Sequence, residues 1–304
     1  MKYVYPDYAD EFRCIADKCR HSCCVGWEID IDGESMARFS SVGGGMGEKL
    51  RRNIAREPEP HFILGKDERC PFLKESGLCE LIIELGEDSL CDICREHPRF
   101  YNEFDTRLEY GIGMCCEEAA RLLTGGKEPV RLLCVSDGDE CGEETSPLTA
   151  LRDTVLTLLN GAGTFEERMA AIMQRVGRAA FSFSPSAAAA FYLGLERMDD
   201  NWTALLREMG GYDSAPALFE SLNGIKYTRI AHYFIFRLFA SAEDPDDAAD
   251  ILAFAFLSTM IVCFLDLLGH SEDALRLYSA EIEYSDENIA LIKAAIRSGK
   301  LITY

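Results

Sequence analysis

The chain has 304 residues, of which 48% are hydrophobic and 27% charged, and its formal net charge is −21. These proportions are those of an ordinary globular protein with one large or two medium domains. A surface this acidic repels phosphate backbones and anionic lipid heads, which argues against nucleic acid as a partner. The charge permits a basic or lysine-bearing protein partner, although solubility alone would also explain it.

Twelve of the thirteen cysteines lie in the first 141 residues. The chain starts MKYVYPDYADEFRC, without an apolar run, so we expect no secretory signal and a cytoplasmic protein. Thiols stay reduced in the cytosol, where close cysteines hold metal more often than they pair as disulfides. We therefore predict a metal site, and keep a disulfide framework as the alternative.

Residues 1–135 are predicted to form a loop-rich, cysteine-rich metal-binding module with short strands. The alternation over Trp27–Asp32 predicts a short, half-exposed strand. Residues 41–47 contain four glycines but follow no predicted buried strand, so we interpret them as a flexible loop and not as a cofactor-binding glycine turn. Short helices are predicted over 34–39, 47–56, 78–85 and 115–123.

The acidic stretch 136–146 is predicted to be a solvated linker, with Cys141 as a bystander. Residues 147–304 are predicted to form an all-α helical domain with short connections. Thr164-x-x-Glu167 is typical of a capping box that opens a helix. The predicted helices span 148–160, 164–181, 184–198, 202–209, 214–222, 225–242, 246–268, 271–282 and 286–298.

The C-terminal half contains no motif for chemistry. Four polar residues there are interpreted as core or interface residues: Tyr192, Tyr227, His232 and Tyr233. The apolar stretch Ile251–Leu265 is short for a membrane span, has acidic flanks, and is therefore interpreted as a buried helix.

The cysteine spacing predicts at least one metal centre. Four thiolates suffice for a structural zinc ion or an iron–sulfur cluster, and ten clustered cysteines exceed one such site. Sulfur ligands favour zinc or iron–sulfur over magnesium or calcium, and the spacing does not choose between the first two. Adjacent pairs, Cys23-Cys24 and Cys115-Cys116, indicate that one member of each faces away or that two centres share the group.

Six elements in order resemble the flagellin lysine N-methylases, the FliB family. The opening motif is Phe12-x-Cys14-x4-Cys19-x3-Cys23-Cys24-x2-Trp27. It is followed by Cys70-Pro71-Phe72-Leu73, Gly77-Leu78-Cys79, Glu84-Leu85-Gly86, Cys94-x3-Pro98-Arg99 and the closing Cys115-x-Glu117-x-Ala119-Ala120-Arg121-Leu122-Leu123. The resemblance covers residues 12–123.

This resemblance implies a cytoplasmic enzyme that methylates lysine side chains of a protein, such as flagellin, with S-adenosylmethionine. It further implies a [4Fe–4S] cluster, with zinc as the alternative. Cys91 and Cys116 stand where the family often has other residues and are treated as spare. The implied metal ligands come from Cys14, Cys19, Cys23, Cys24, Cys70, Cys79, Cys94 and Cys115.

Several neighbours of the cysteines are weaker candidates. Arg95 and Arg99 could clamp the carboxylate of S-adenosylmethionine, or could pair with nearby acids. Trp27 could shield a cluster from water, or could be a core anchor. His21 and His97 could be ligands or outer donors, or could be solvent-exposed.

The sequence does not identify a catalytic base or the S-adenosylmethionine site. It lacks the strand and glycine turn of a Rossmann-type methyltransferase and the C-x3-C-x2-C pattern of radical enzymes. Lysine methylation with an iron–sulfur centre is the leading hypothesis. The alternative is a non-catalytic zinc- or iron–sulfur-binding protein with a structural, metal-handling or redox-sensing role.

Overall fold

Helices make up most of the structure, a computed structural model that describes residues 2–104, 107–136 and 146–303. The predicted mainly α class is therefore confirmed. The strands are β1 Lys2–Pro6, β2 Ile54–Ala55, β3 His61–Phe62, β4 Arg99–Glu103, β5 Arg107–Ile112 and β6 Leu132–Ser136. The N-terminal helices are α1 Gly33–Ser41, α2 Gly44–Arg52, α3 Glu80–Leu85, α4 Asp92–Glu96 and α5 Glu117–Gly125. The later helices are α6 Pro147–Leu159, α7 Phe165–Arg175, α8 Pro185–Tyr192, α9 Asp200–Met209, α10 Leu218–Leu222, α11 Ile225–Leu238, α12 Pro245–Leu267, α13 Ala274–Ile282 and α14 Asp286–Arg297.

The chain divides into two compact units. The cysteine unit consists of Arg13–Phe100 with Cys116–Glu118. The helical unit consists of the residues up to Phe12, Tyr101–Cys115 and the chain from Ala119 onwards. This division differs from the boundary placed at 136–146, most of which lies outside the described residues together with Cys141.

The helical unit contains a mixed four-stranded sheet in the order β4-β5-β1-β6. β1 runs parallel to β5, with Lys2 opposite Arg107, and antiparallel to β6, with Tyr5 opposite Leu133. Every named element in the described part of 147–304 is a helix, as predicted, and the six strands all lie within residues 2–136. The sheet that they form, which shares a unit with these helices, was not predicted. The strands are short and come from separate stretches of sequence, so no continuous pattern marks them.

The helices after residue 146 follow the prediction closely. α7 begins with the predicted capping box: the Glu167 amide donates to Thr164 Oγ1 at 3.2 Å, and the Thr164 amide donates to Glu167 Oε2 at 2.8 Å. α7 ends at Arg175, six residues before the predicted end. These caps satisfy main-chain donors that the first turn of a helix leaves without partners.

α12 forms the centre of the helical unit, and α10, α11 and α14 pack against it. Eighteen consecutive residues of α12, from Ala248 to Leu265, are buried. Within the described residues α12 is the one helix long and apolar enough to cross a membrane, and its apolar stretch is entirely buried inside the protein. This agrees with its interpretation as a buried core helix.

The cysteine unit has a small core between α1, α2 and α3. The segment predicted as a strand buries Ile29 and Ile31, as the alternation requires, but forms a single bridge, from Asp30 to His61. The strand prediction is therefore wrong, because neighbouring backbone pairs with this segment at too few positions.

The glycine-rich segment 41–47 is not the predicted flexible loop. α1 continues to Ser41, and α2 begins at Gly44. A Cβ atom at Gly47 would lie 1.9 Å from the Val42 carbonyl oxygen, so this position needs glycine for the close approach of the two helices. Gly47 thus serves the packing of the two helices, and Gly44, at φ +67°, begins α2.

Candidate metal centre

Five cysteines gather at the small core of the cysteine unit. Cys70 and Cys91 are buried within it, while Cys24, Cys79 and Cys94 pack against it, half-buried. The apolar members of the core are Ile29, Ile31, Phe39, Leu50, Phe62, Phe72 and Leu81. We call Cys24, Cys70, Cys79, Cys91 and Cys94 the inner cysteine group.

Local backbone structure brings these five residues together. The Cys70 amide donates to the Cys24 carbonyl at 2.8 Å. Residues 70–79 then fold into a hairpin-like turn in which Leu73 bridges to Cys79 and Gly77 adopts φ +80°. A side chain at Gly77 would be strained by this φ and would also crowd Asp17.

The last two members of the inner cysteine group lie on one helical turn. Cys91 is the residue before α4, and its carbonyl accepts from the Cys94 amide at 3.1 Å. Only two residues separate the two thiols, so the turn directs both towards the core. This spacing, Cys91-x2-Cys94, is the one C-x2-C pair in the chain, a form found in many zinc sites.

The thiols of the inner cysteine group alter one another's pKa values. Burial raises the pKa of Cys70 to about 11, and repulsion from Cys24 and Cys79 adds to this rise. The pKa of Cys94 is raised by its hydrogen bond with Cys91, by burial, and by repulsion from Cys91, Cys24 and Cys70. Five thiols this close cannot all ionise without a cation, which a bound metal would supply.

Hydrogen bonds between thiols select which sulfur ionises first. The bond from Cys94 lowers the pKa of Cys91, and the bond from Cys23 lowers that of Cys24. In each pair the thiol that accepts the hydrogen bond is therefore the easier of the two to ionise. Metal binding to the inner cysteine group would require the thiols that are still protonated to lose their protons.

A second set of cysteines, the outer cysteine group, surrounds Cys23. The pKa of Cys23 is raised by its hydrogen bond with Cys24, by burial, and by repulsion from Cys24, Cys14 and Cys116. Burial raises the pKa of Cys19, whose thiol donates to the His21 carbonyl at 3.3 Å. The outer cysteine group comprises Cys14, Cys19, Cys23 and Cys116.

Glu117 anchors the outer cysteine group. Its carboxylate accepts from the Arg20 amide at 2.9 Å and from Arg20 Nε at 3.0 Å. Cys19 Sγ lies 3.8 Å from Glu117 Oε2. The acid next to Cys116 thus connects residues near the start of the motif to its closing element.

Thiolate sulfur suits a soft metal, but the described cysteines do not surround a single point at which a metal ion could sit. Among the residues that the structure describes, no three His, Cys, Asp or Glu side chains are arranged so that they could hold a metal ion together. The cysteines are neighbours and hydrogen-bonded pairs, and do not form a closed tetrahedron. The sulfur-only donor set fits zinc or an iron–sulfur cluster in chemistry.

The structure separates the eight ligands implied by the resemblance. Cys24, Cys70, Cys79 and Cys94 fall in the inner cysteine group, and Cys14, Cys19 and Cys23 in the outer one. Cys115 belongs to the helical unit, where its thiol lies 3.1 Å from the Tyr284 hydroxyl. Cys134 is disulfide-bonded.

Cys91 and Cys116, which the family resemblance treats as spare, lie among the other cysteines in the structure. Cys91 is fully buried in the inner cysteine group, and Cys116 lies near Cys23 in the outer one. The Cys91-x2-Cys94 spacing could have identified Cys91. No spacing rule marks Cys116, because its neighbours in space are over 90 residues away in sequence.

The predicted cofactor-binding residues occupy different environments. Arg95 is exposed and pairs with Asp92 and Glu96, the nearby acids that its alternative interpretation required. Arg99 is half-buried and reaches the Arg95 carbonyl at 3.5 Å. Trp27 is half-buried, as are His21 and His97, and burial lowers the pKa of His97.

An open groove of about 370 Å³ borders the inner cysteine group. Two of its lining residues, Asp92 and Ile93, are the two residues between Cys91 and Cys94. The groove combines aliphatic surface with carboxylates, a chemistry that suits a cation on an alkyl stem. It is lined by Asp30, Ile31, Asp32, Glu59, Pro60, Asp92 and Ile93.

Asp32 organises this groove. Its Oδ1 accepts from the Ser35 amide at 2.8 Å, and its Oδ2 accepts from the Asp92 amide at 2.9 Å. Although burial opposes ionisation, these hydrogen bonds lower the pKa of Asp32 to about 2. One carboxylate therefore caps α1 and holds the start of α4, which leaves Asp30 and Glu59 as the carboxylates available to a ligand.

The polar residues of the helical unit that were predicted to be structural are mostly buried. Tyr192, His232 and Tyr233 are at most 1% exposed, and Tyr227 donates to Asp266 at 2.8 Å. Arg152 forms a buried bidentate pair with Glu109 at 2.5 and 2.6 Å. Tyr192 shares a hydrogen bond with Tyr278 at 3.0 Å, and none of these residues lines the groove.

Comparison with known proteins gives a distant, partial similarity. The chain is 23% identical over 141 residues to the lysine-N-methylases of Salmonella typhimurium strain LT2 and Salmonella choleraesuis strain SC-B67. Each match covers 42% of this chain and 33% of the relative. The chain is also 22% identical over 137 residues to the flagellar biosynthetic protein FliU of Salmonella muenchen, covering 42% of this chain and 79% of that protein.

No known family model and no solved structure matches the chain. The matched part spans only a third of the length of the two lysine-N-methylases. The comparisons therefore support a distant relation to a FliB-like family over part of the chain.

Proposed function

We propose that this protein is a protein-lysine N-methyltransferase that uses S-adenosylmethionine. The observation that carries the proposal is the inner cysteine group beside an acidic, aliphatic groove, in a chain similar over 141 residues to proteins named lysine-N-methylase. The names of the relatives suggest the class of reaction, and the groove offers space for a lysine side chain.

The groove has what a lysine side chain needs. Ile31, Pro60 and Ile93 would contact the methylene groups, and the carboxylates of Asp30 and Glu59 would attract the ammonium. Carboxylates favour the charged amine, whose unperturbed pKa is about 10.4, so the proton must leave before methyl transfer. Asp30 or Glu59 would accept that proton, and S-adenosylmethionine, when bound, would supply its methyl group to the neutral nitrogen and leave as S-adenosylhomocysteine.

The inner cysteine group is proposed to provide the ligands of a [4Fe–4S] cluster, with zinc as the alternative. When bound, such a centre would cross-link the loops of the cysteine unit and carry charge next to the groove. The cysteines would hold the centre, Asp32 fixes the start of α4, and the half-buried Trp27 is proposed to limit access of water. Arg99, which is half-buried, and the exposed Arg95 are both proposed to contact the carboxylate of S-adenosylmethionine.

The relatives' names also suggest a substrate and a location. One relative is a flagellar biosynthetic protein, so we propose flagellin, a protein with exposed lysines, as the first substrate to test. Methylation before export would place the enzyme in the cytoplasm. The acidic surface is consistent with a lysine-bearing partner and disfavours nucleic acid.

The first experiment measures metal, sulfide and methyl transfer on protein purified without oxygen. We expect iron and sulfide in equal amounts, S-adenosylmethionine binding by calorimetry, and a methyl group added to lysine, located by mass spectrometry. The double variant Asp30→Asn/Glu59→Gln should lose transfer while keeping its metal. Cluster-loaded protein that neither binds S-adenosylmethionine nor methylates any lysine-bearing protein would contradict the proposal.

A non-catalytic, metal-binding role is the second candidate. It is favoured by one observation: Cys70 and Cys91 are part of the hydrophobic core, where a metal would stabilise the fold directly. Zinc at full occupancy, with no methyl transfer and with unfolding on chelation, would select this candidate. Reversible spectral change with oxidant, again without transfer, would instead indicate redox sensing.

A further inference from the structure

The short helix α3 exposes an apolar surface that no other described part of the cysteine unit covers. Fourteen large apolar side chains are exposed in the described residues, and four of them lie within residues 78–85. Every residue from Ile82 to Asp88 is exposed. The four are Leu78 at 36%, Ile82 at 37%, Ile83 at 51% and Leu85 at 36%.

This exposure is built into the local structure. Leu81 is 2% exposed and fixes α3 to the core of the cysteine unit, while Gly86, at φ +87°, ends the helix. Cys79 immediately precedes α3, so the exposed residues follow directly from the inner cysteine group. Clustered aliphatic side chains on a soluble surface usually mark an interaction site.

Acidic residues surround the apolar surface. Residues 75–88 contain five acidic residues and no basic ones. Glu80 pairs with Lys49, whereas the other four are exposed and make no ion pair within the described residues. These four are Glu75, Glu84, Glu87 and Asp88.

We propose that this surface, the α3 surface, docks the protein substrate through an amphipathic segment with aliphatic side chains and lysines. The aliphatic residues would bury Ile82, Ile83 and Leu85, and the lysines would meet Glu84 and Glu87. This inference rests on the proposed function, since it names what the enzyme recognises beyond the target lysine. A second copy of this chain fits less well, because two α3 surfaces would bring the same acidic residues together.

The test uses the metal-loaded 304-residue chain and synthetic amphipathic peptides with leucines on one face and lysines beside them. We expect the lysine peptide to bind, and a peptide with glutamate at each lysine position to bind at least about tenfold more weakly. Ile82→Ser/Ile83→Ser should weaken binding of the lysine peptide by about tenfold. Leu291→Ser, at a position 45% exposed in the helical unit, is the matched control and should bind normally.

The acidic residues are tested by Glu84→Gln/Glu87→Gln, which should weaken binding and reduce its dependence on salt. Unchanged binding by both double variants, equal binding of the two peptides, or no binding by the wild-type protein would overturn the proposal. A wild-type dimer that becomes monomeric in Ile82→Ser/Ile83→Ser would also overturn it, because a second copy would then cover the surface.

Methyl transfer is measured separately, on a short lysine peptide without leucines. Binding without any transfer would count against the enzymatic proposal and leave the docking surface intact. Normal transfer to the short peptide by Ile82→Ser/Ile83→Ser, with reduced transfer to the amphipathic peptide, would support both. The two proposals can therefore fail independently.

Discussion

The two units of this chain are stabilised in different ways. The helical unit buries eighteen consecutive residues of α12 and surrounds them with other helices. The cysteine unit has a core of nine buried residues, two of which are cysteines. A core this small gives a domain of this length little hydrophobic stabilisation, so we expect the cysteine unit to depend on what its thiols bind.

The largest predicted effect is a test of this difference. Removing metal with a chelator should unfold the cysteine unit and leave the helical unit folded, since a structural metal contributes on the order of 10 kcal/mol. Limited proteolysis with mass spectrometry should then show cuts confined to residues 13–100. Cys94→Ser should give the same pattern, with Cys263→Ala as the control that keeps its metal. Chelated protein that resists cleavage throughout would contradict the comparison.

The next effect concerns the buried ion pair of the helical unit. Arg152→Met removes one of the two arginines that pair with the fully buried Glu109 in the described residues and leaves Arg107, at 2.7 Å, so we expect a loss of about 3 kcal/mol in the free energy of unfolding. Urea unfolding followed by circular dichroism measures this loss. The double variant Glu109→Gln/Arg152→Met should recover part of it. Because the pair lies in the helical unit, a loss that changes after chelation would show that the two units are not independent.

Acid should also act on the helical unit through His232. Burial, together with Arg152 and Arg229, lowers the pKa of His232 to about 3, so the imidazole is neutral in the folded protein. Below about pH 6.5 the unfolded chain takes up a proton that the folded chain refuses, so stability falls as the pH decreases towards 3.

This histidine should cost about 2 kcal/mol at pH 5 relative to pH 7. His232→Leu should remove that difference, since Nδ1 has no hydrogen-bond partner in the described structure. Urea unfolding at the two pH values compares the variant with the wild type. An equal decrease in both proteins would show that His232 is not the group responsible.

The smallest effect tests a local feature that was predicted from sequence. Thr164→Ala removes the capping box of α7 and should cost about 1 kcal/mol, measured by the urea midpoint of the helical unit. Thr157→Ala, at an exposed threonine whose hydroxyl donates to the Asp153 carbonyl of its own helix, is the control and should change stability little. If Thr164→Ala lowered the free energy of unfolding only after the metal had been chelated, the two units would not be independent.

The sequence predicted the helical unit better than the cysteine unit. Helix periodicity and caps are local signals, so α12 and the Thr164 cap were predicted correctly. The sheet was missed because its strands are short and pair residues as distant as Tyr5 and Leu133. Local patterns do not record such pairing.

The same limit applies to the cysteines. Their identity predicted thiol chemistry, but their division into two groups depends on turns at Gly77 and on the start of α4. Cys91 and Cys116 were set aside on family grounds, yet both lie among the other thiols. The groove was not foreseen, because its residues come from three separate segments that meet only in the folded chain. The metal itself stays a prediction.

The order of the strands has a consequence for synthesis on the ribosome. β1 is made first, but its partners β5 and β6 follow only after the whole Arg13–Phe100 segment has been translated. The Arg13–Phe100 segment can therefore fold, and take up any metal it requires, before β5 and β6 have been synthesised and can pair with β1. If that metal were scarce, the Arg13–Phe100 segment would stay unfolded between β1 and the strands that pair with it. The quality-control machinery of the cell could then act on the nascent chain before the long C-terminal helices are made.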